Sequence, residues 1–537
     1  MMQRKEDLLK ESRERALEEV KALTVYGQDN PYERILEKAN PEDDSWMEQY
    51  GLPVTEMERK MMRFWFQVPK EKLEAMGNVI AEAFLHGFIS QSRDRRGRRR
   101  VRFFYQIGQE ALAKETVRAL KEKGLLPVIT RPKGLSGESR KQEVHLSDEG
   151  LFEMECAAYG EAMRCFEKEL KDTCGMIGID QFGEEASYEA PSQGEDGFSE
   201  KERELSARLS AAKAGQEAEW IRPSEISFCK AAFPNMLVGD RFEQIFQDFY
   251  DLNMQRSEPF ERYQQALIDG LDICEYVEMK GFGGNETDLR IHLGELRNPE
   301  KETKFLNCGG DLNIPYGEVF TTPRLGGTAG RLHVEEICLK GIFYHGLKID
   351  FQDGRVTDAD CLEGKKHVTE NLLYPHENIT MGEFAVGTNT RAYALAEKYG
   401  IGTRMPILLY EKMGPHIAIG DPCFARSEEA PIYNMYDQKE MVCRANEVTE
   451  MVCRADEVTE MVCRVNEAAE RSCEKERVYY EKHIDITLPY HQVEYLRGIR
   501  PDGSMLYFIR KGRFVLEGTE GLNEGFSCFK ERNEEKQ

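Results

Sequence analysis

Four short segments in the carboxy-terminal half of the chain set carboxylates and imidazoles beside small or apolar residues. Pro315-Tyr-Gly-Glu-Val-Phe-Thr321 holds Glu318 between a glycine and a β-branched, aromatic run. Met381-Gly-Glu-Phe-Ala-Val386 repeats that chemistry around Glu383, 65 residues later. Pro415-His-Ile-Ala-Ile-Gly420 puts His416 at the head of a small apolar strand, and Lys482-His-Ile-Asp-Ile486 spaces His483 and Asp485 two apart. On a strand that spacing turns both side chains to one face. Two Glu, two His and one Asp are the nitrogen and oxygen donors that hold Zn²⁺, Co²⁺ or Mn²⁺, and carboxylates can bridge a metal pair about 3.5–4 Å apart. Such a pair acidifies water and polarises a carbonyl. A Gly-Glu alone marks a turn more often than a ligand, so the ordered set carries the inference.

Other motifs point elsewhere or nowhere. Arg93 to Arg100 is a dense basic run that suits phosphate contact or a solvated loop before a strand. No aromatic residue interrupts it, and the net charge of −24 disfavours general nucleic-acid binding. Gly309-Gly310 lacks the Lys-Ser/Thr ending of a phosphate-cradling loop and reads as a turn; no G-x-S-x-G elbow supports a serine hydrolase. The 14 cysteines form no pair of CxxC motifs at zinc-finger spacing, and Cys308, Cys338 and Cys361 read as small core residues.

The elements that must position these donors are legible in outline. At 537 residues the chain exceeds one ordinary core. Residues 1–60 are charged with helical spacing and read as a solvated helical extension. From 61 to 258, the β-type run Val101–Tyr105, the helix Glu110 to Lys123, the strand Leu125–Ile129, the helix Leu151 to Leu170 and the strand Met176–Asp180 predict an α/β domain with a mainly parallel sheet. A boundary near Arg256–Pro259 precedes short runs such as Leu289–Leu293 and Ile349–Phe351, followed by the turn Asp353-Gly354. Residues 259–537 therefore read as an α+β catalytic domain rich in antiparallel strands.

The ordered donor set resembles the thermophilic metallo-aminopeptidases, also called aminopeptidase T. That family carries Gly-Glu-Val-Phe-Thr after an Asn-x-Pro turn, then Gly-Glu, His-Ile-Ala-x-Gly and His-x-Asp. Here Asn313 to Thr321, Gly382-Glu383, His416 to Gly420 and His483 to Asp485 follow in the same order. The resemblance covers about 260–520 well and the region from about 60 more loosely. It implies that Glu318, Glu383, His416, His483 and Asp485 are the ligands of two divalent metal ions, Zn, Co or Mn. It also implies that Glu318 or Glu383 moves the catalytic proton and that the protein is a homodimer acting on short peptides. The family has a tyrosine shortly after the first histidine, where this chain has Cys423-Phe424; either Tyr433 or Tyr436 replaces it, or activity is reduced. An impaired family member serving as a binding or structural protein is the alternative. The absence of an apolar span near 20 residues and the charged start predict a cytoplasmic protein that neither crosses a membrane nor binds nucleic acid.

Between His416 and His483 a ten-residue unit occurs three times, over 440–469. Successive copies on a helix would be turned by about 80°, so the unit makes neither a coiled-coil seam nor a solenoid. Cys443, Cys453, Cys463 and Cys473 lack a histidine among them and do not suggest a metal string. Both flanking histidines must reach one site, so the added length loops out, and loop length costs only about 0.6 kcal/mol per doubling. Deleting 450–469 is expected to leave the thermal midpoint and metal content nearly unchanged; loss of soluble protein would show that the copies belong to the core.

Overall fold

The computed structural model describes residues 2–135, 146–185, 199–308, 313–376, 378–425, 430–446 and 479–529. The second and third copies of the repeat, with Cys453 and Cys463, lie outside the described residues, as do Cys473 and the Gly309-Gly310 turn.

Alternation in Arg100–Tyr105 buries Val101, Phe103 and Tyr105 completely and leaves the intervening residues half-buried. The strand joins a parallel sheet in the order Leu126–Ile129, Arg100–Tyr105, Thr173–Phe182, Ser227–Pro234, Asn313–Ile314. Parallel neighbours need crossovers, which the helices Glu110–Glu122, Glu149–Cys165 and Glu200–Trp220 supply. The expected α/β region is thus present, with the strand at Met176 extended to Thr173–Phe182.

The amino-terminal segment is packed, not solvated. Ala16 and Val20, four apart on the helix Met2–Ala22, bury against Ala158, Tyr159 and Ala162 of Glu149–Cys165. Trp46, Met47 and Tyr50 bury against Met62 and Ile107. The narrow apolar stripe in an otherwise charged helix is what a one-sided contact requires, and the abundance of charge conceals it in the sequence.

Past the helix Glu258–Asp272, the predicted antiparallel pattern appears as two sheets. An eight-stranded sheet includes Tyr276–Gly281, Asp288–His292, Arg324–Leu339 and Ile342–Gln352, the last turning at Asp353-Gly354 into Arg355–Asp360. A five-stranded sheet runs in the order His483–Thr487, Pro415–Gly420, Met381–Gly387, Glu318–Thr321, Leu306–Cys308, antiparallel throughout. One core unites the two halves: Phe249, Leu267 and Val319 share a cluster, and Asn313–Ile314 supplies the last strand of the parallel sheet.

Half of the arginines in the basic run pair with carboxylates of the fold. Arg96 pairs with Glu225 at 2.7 Å and Arg98 with the same carboxylate; Arg100 pairs with Asp172 at 3.4 Å, and Arg93 donates to the Ile226 carbonyl at 2.6 Å.

Candidate metal centre

All four donor segments contribute a strand to the five-stranded sheet, and the register sends all five donors to one face. Glu318 lies opposite Gly387, Ala385 opposite His416, Glu383 opposite Ala418, Ala418 opposite Asp485, and Gly420 opposite His483. Directly opposed residues share a face and the side-chain period is two, so 318, 383, 416, 483 and 485 point the same way. The opposite face carries Val319, Phe384, Val386, Ile417, Ile419, Ile484 and Ile486, all in the main core. Burying each contributes about 1.5–3 kcal/mol, and this apolar face fixes the register that aims the donors. Ala385 and Ala418 stand among the donors and leave room above the sheet.

Both Gly-Glu pairs have a steric reason. A Cβ at Gly317 would lie 2.6 Å from the Thr388 hydroxyl oxygen, and one at Gly382 would lie 2.4 Å from the Asp421 carbonyl oxygen. Side chains crowd Gly317 and the backbone of the next strand's end crowds Gly382, so only glycine fits beside Glu318 and Glu383 without a shift.

The donors form two groups that share Glu383. In the inner group, His416 Nε2 lies 3.6 Å from Glu318 Oε2 and 3.4 Å from Glu383 Oε1. His416 is fully buried, and its Nε2 makes no hydrogen bond. In the outer group, His483 Nε2 lies 3.8 Å from Glu383 Oε2 and 3.2 Å from Asp485 Oδ1. Nδ1 of His483 faces the Asp421 carbonyl at 2.7 Å, which orients the ring so that Nε2 points inward. The ligating atoms of Glu318, Glu383 and His416 all lie within 4.8 Å of one another.

Three further residues stand here that the sequence reading missed. Lys412, 1% exposed, sets its ammonium 2.6 Å from Glu318 Oε1 and 2.8 Å from Glu411 Oε1. The signal was a charged pair, Glu411-Lys412, following the apolar run Ile407 to Tyr410 and four residues before His416. The third is Cys423, whose thiol donates to Glu383 Oε2. Phe424 instead packs on Phe320 in an apolar cluster with Leu306 and Ile432, and Tyr433 lines a cleft with Arg93 and Glu225, while Tyr436 is half-exposed. The side chain presented to the site at this turn is therefore Cys423.

Electrostatically the site seeks positive charge. Burial alone would lower the pKa of His416, but the carboxylates of Glu383, Glu318 and Asp485 around it outweigh that and push it up to about 9. His483 is held well above its ordinary range against burial by Asp485 in the same way. Burial pushes Glu411 up to about 7 despite Lys412. Four carboxylates, Glu318, Glu383, Glu411 and Asp485, face a single lysine, and an unpartnered imidazole nitrogen converges on two of them. That donor set fits divalent cations.

A cation must displace the imidazole protons, so metal binding at neutral pH is expected to release protons, measurable by calorimetry in buffers of different ionisation enthalpy. The sign for the metal-free protein agrees. A folded pKa of about 9 for His416 against 6.5 unfolded gives stability that is present below 6.5 and lost as pH rises through 9. Binding without proton release would contradict the assignment of these imidazoles.

The chain is a metallopeptidase by its family, and the fold and this donor set suit that class. It belongs to the thermophilic metalloprotease (M29) family, whose profile matches residues 99–455. Glu318, Glu383 and His416 fall inside the matched stretch, whereas His483 and Asp485 lie beyond it and reach the site through strand pairing. Among solved structures the chain is similar to wild-type AmpT from Thermus thermophilus, with 16% identity and a TM-score of 0.51, over 83% of this chain and 99% of that one. This likeness speaks for the fold. A sequence search of curated proteins gives no match. No described helix is long and apolar enough to cross a membrane.

Proposed function

We propose that this metallopeptidase is an aminopeptidase that removes amino-terminal residues from short peptides at a two-metal site. The observation that carries the reading is the Glu383 carboxylate, which turns one oxygen toward His416 and the other toward His483. Glu318, Glu383 and His416 would hold one ion, and Glu383, His483 and Asp485 the other; donor chemistry admits zinc, cobalt or manganese. Bound there, divalent ions supply Lewis acidity that acidifies water and polarises the scissile carbonyl.

The protein's own residues do the rest. The chain's net charge of −24 attracts the peptide's free α-ammonium, and a free α-amine distinguishes an amino terminus from an internal bond. Glu318 or Glu383 accepts the proton of the attacking water and delivers it to the leaving amine. Lys412 pairs with Glu318 and fixes its orientation. In the same reading the enzyme is cytoplasmic and is a homodimer, the latter resting on the family resemblance.

The test is release of amino acids from a dipeptide panel, with amino-blocked peptides as controls. Hydrolysis is expected to stop on chelation, to return with divalent metal and to spare blocked peptides. Full turnover after exhaustive chelation, with no metal detected, would overturn the reading; cleavage of blocked peptides would overturn its aminopeptidase part.

A further inference from the structure

The turn after the strand Pro415–Gly420 carries a sulfur into the outer donor group. Cys423 Sγ donates to Glu383 Oε2 and lies 4.0 Å from His483 Nε2. Sγ, a Glu383 oxygen and a His483 nitrogen all lie within 4.8 Å of one another. The placement is held from both sides. The Asp421 carboxylate accepts from Tyr480 N at 2.7 Å and Lys482 N at 3.3 Å, and the Asp421 carbonyl faces His483 Nδ1 at 2.7 Å. Those bonds lock the turn bearing Cys423 to the strand bearing His483. Cys423 is solvent-accessible, in contrast to the buried Cys308 and Cys361, so both the ion and its reagents can reach it.

From this geometry we infer that Cys423 is a further ligand of the outer ion, a thiolate that joins Glu383, His483 and Asp485. On ligation the thiol gives its proton to solvent and sulfur donates its electron pair to the cation. The two ions then differ in kind. The inner one meets oxygen and nitrogen donors only, while the outer one meets sulfur, which selects zinc or cobalt over manganese or magnesium. This inference rests on the two-metal reading above.

Loading the full chain with cobalt tests it. Wild-type protein should show a near-ultraviolet sulfur-to-cobalt charge-transfer band that Cys423→Ser abolishes and Cys443→Ser preserves, with bound cobalt quantified in each. Should Cys423→Ser fold poorly, the wild-type protein still decides the matter. Alkylation of Cys423, mapped by mass spectrometry, should slow by on the order of tenfold or more when zinc replaces chelator. A cobalt-loaded, peptidase-active protein without the band overturns the thiolate ligand and leaves the proposed function standing. Survival of the band in Cys423→Ser, or alkylation unaffected by zinc, also overturns it. Failure of wild-type protein to bind cobalt or zinc overturns both.

Discussion

Glu383→Gln is expected to lose bound metal and peptide hydrolysis together, with kcat/KM falling by about a thousandfold or more. The carboxylate stands between the two donor groups, 3.4 Å from His416 Nε2 through one oxygen and 3.8 Å from His483 Nε2 through the other. An amide of the same shape removes the negative charge that both share. Stability should fall as well. Glu383 helps to hold the buried His416 protonated, so in chelator near neutral pH the variant should unfold below the parent's temperature, because a partner of that imidazolium has gone. Metal content by elemental analysis, steady-state kinetics and thermal unfolding in chelator check the three parts. Turnover within about tenfold of the parent, with full metal content, would remove Glu383 from the centre. His483→Ala, by the same argument, should reduce the metal content while the inner donors remain.

Lys412→Met is expected to destabilise the protein by about 3–5 kcal/mol, the usual consequence of removing one partner from a buried ion pair. The ammonium is 1% exposed and lies 2.6 Å from Glu318 and 2.8 Å from Glu411, neither of which has another lysine or arginine among the described ion pairs. The neighbouring carboxylates raise the lysine well above its ordinary range against the effect of burial. A folded pKa raised above the unfolded one gives stability that is present below 10.5 and lost only at still higher pH, so the contribution should be level through the neutral range. Metal loading should recover part of the loss, since cations can counter Glu318 in the lysine's place. Denaturant unfolding with and without metal measures both terms. A change below about 1 kcal/mol would show that the pair is solvated or replaced.

The sequence by itself determined the local half of this site. The alternation Glu-Phe-Ala-Val at 383–386 and His-Ile-Asp-Ile at 483–486 separates a donor face from an apolar face, because strand side chains alternate whatever the partner strand is. Gly317 and Gly382 announced close approach, and donor chemistry limited the cofactor to divalent metal. The parallel and antiparallel halves were likewise written in the order of runs and helices. Sequence could not supply the pairing. His416 and His483 become neighbours only because Pro415–Gly420 and His483–Thr487 hydrogen-bond in one register, and no local pattern encodes a partner 67 residues away. The same limit hid Lys412, whose charge makes sense only once burial brings Glu318 and Glu411 to it. It also hid Ala16 and Val20, whose stripe becomes visible only against the helix that covers it. Cys423 shows the point most sharply: its type was plain from the sequence, but only the tertiary structure, by tying its turn to the strand of His483, decided that its sulfur rather than the ring of Phe424 faces the carboxylate.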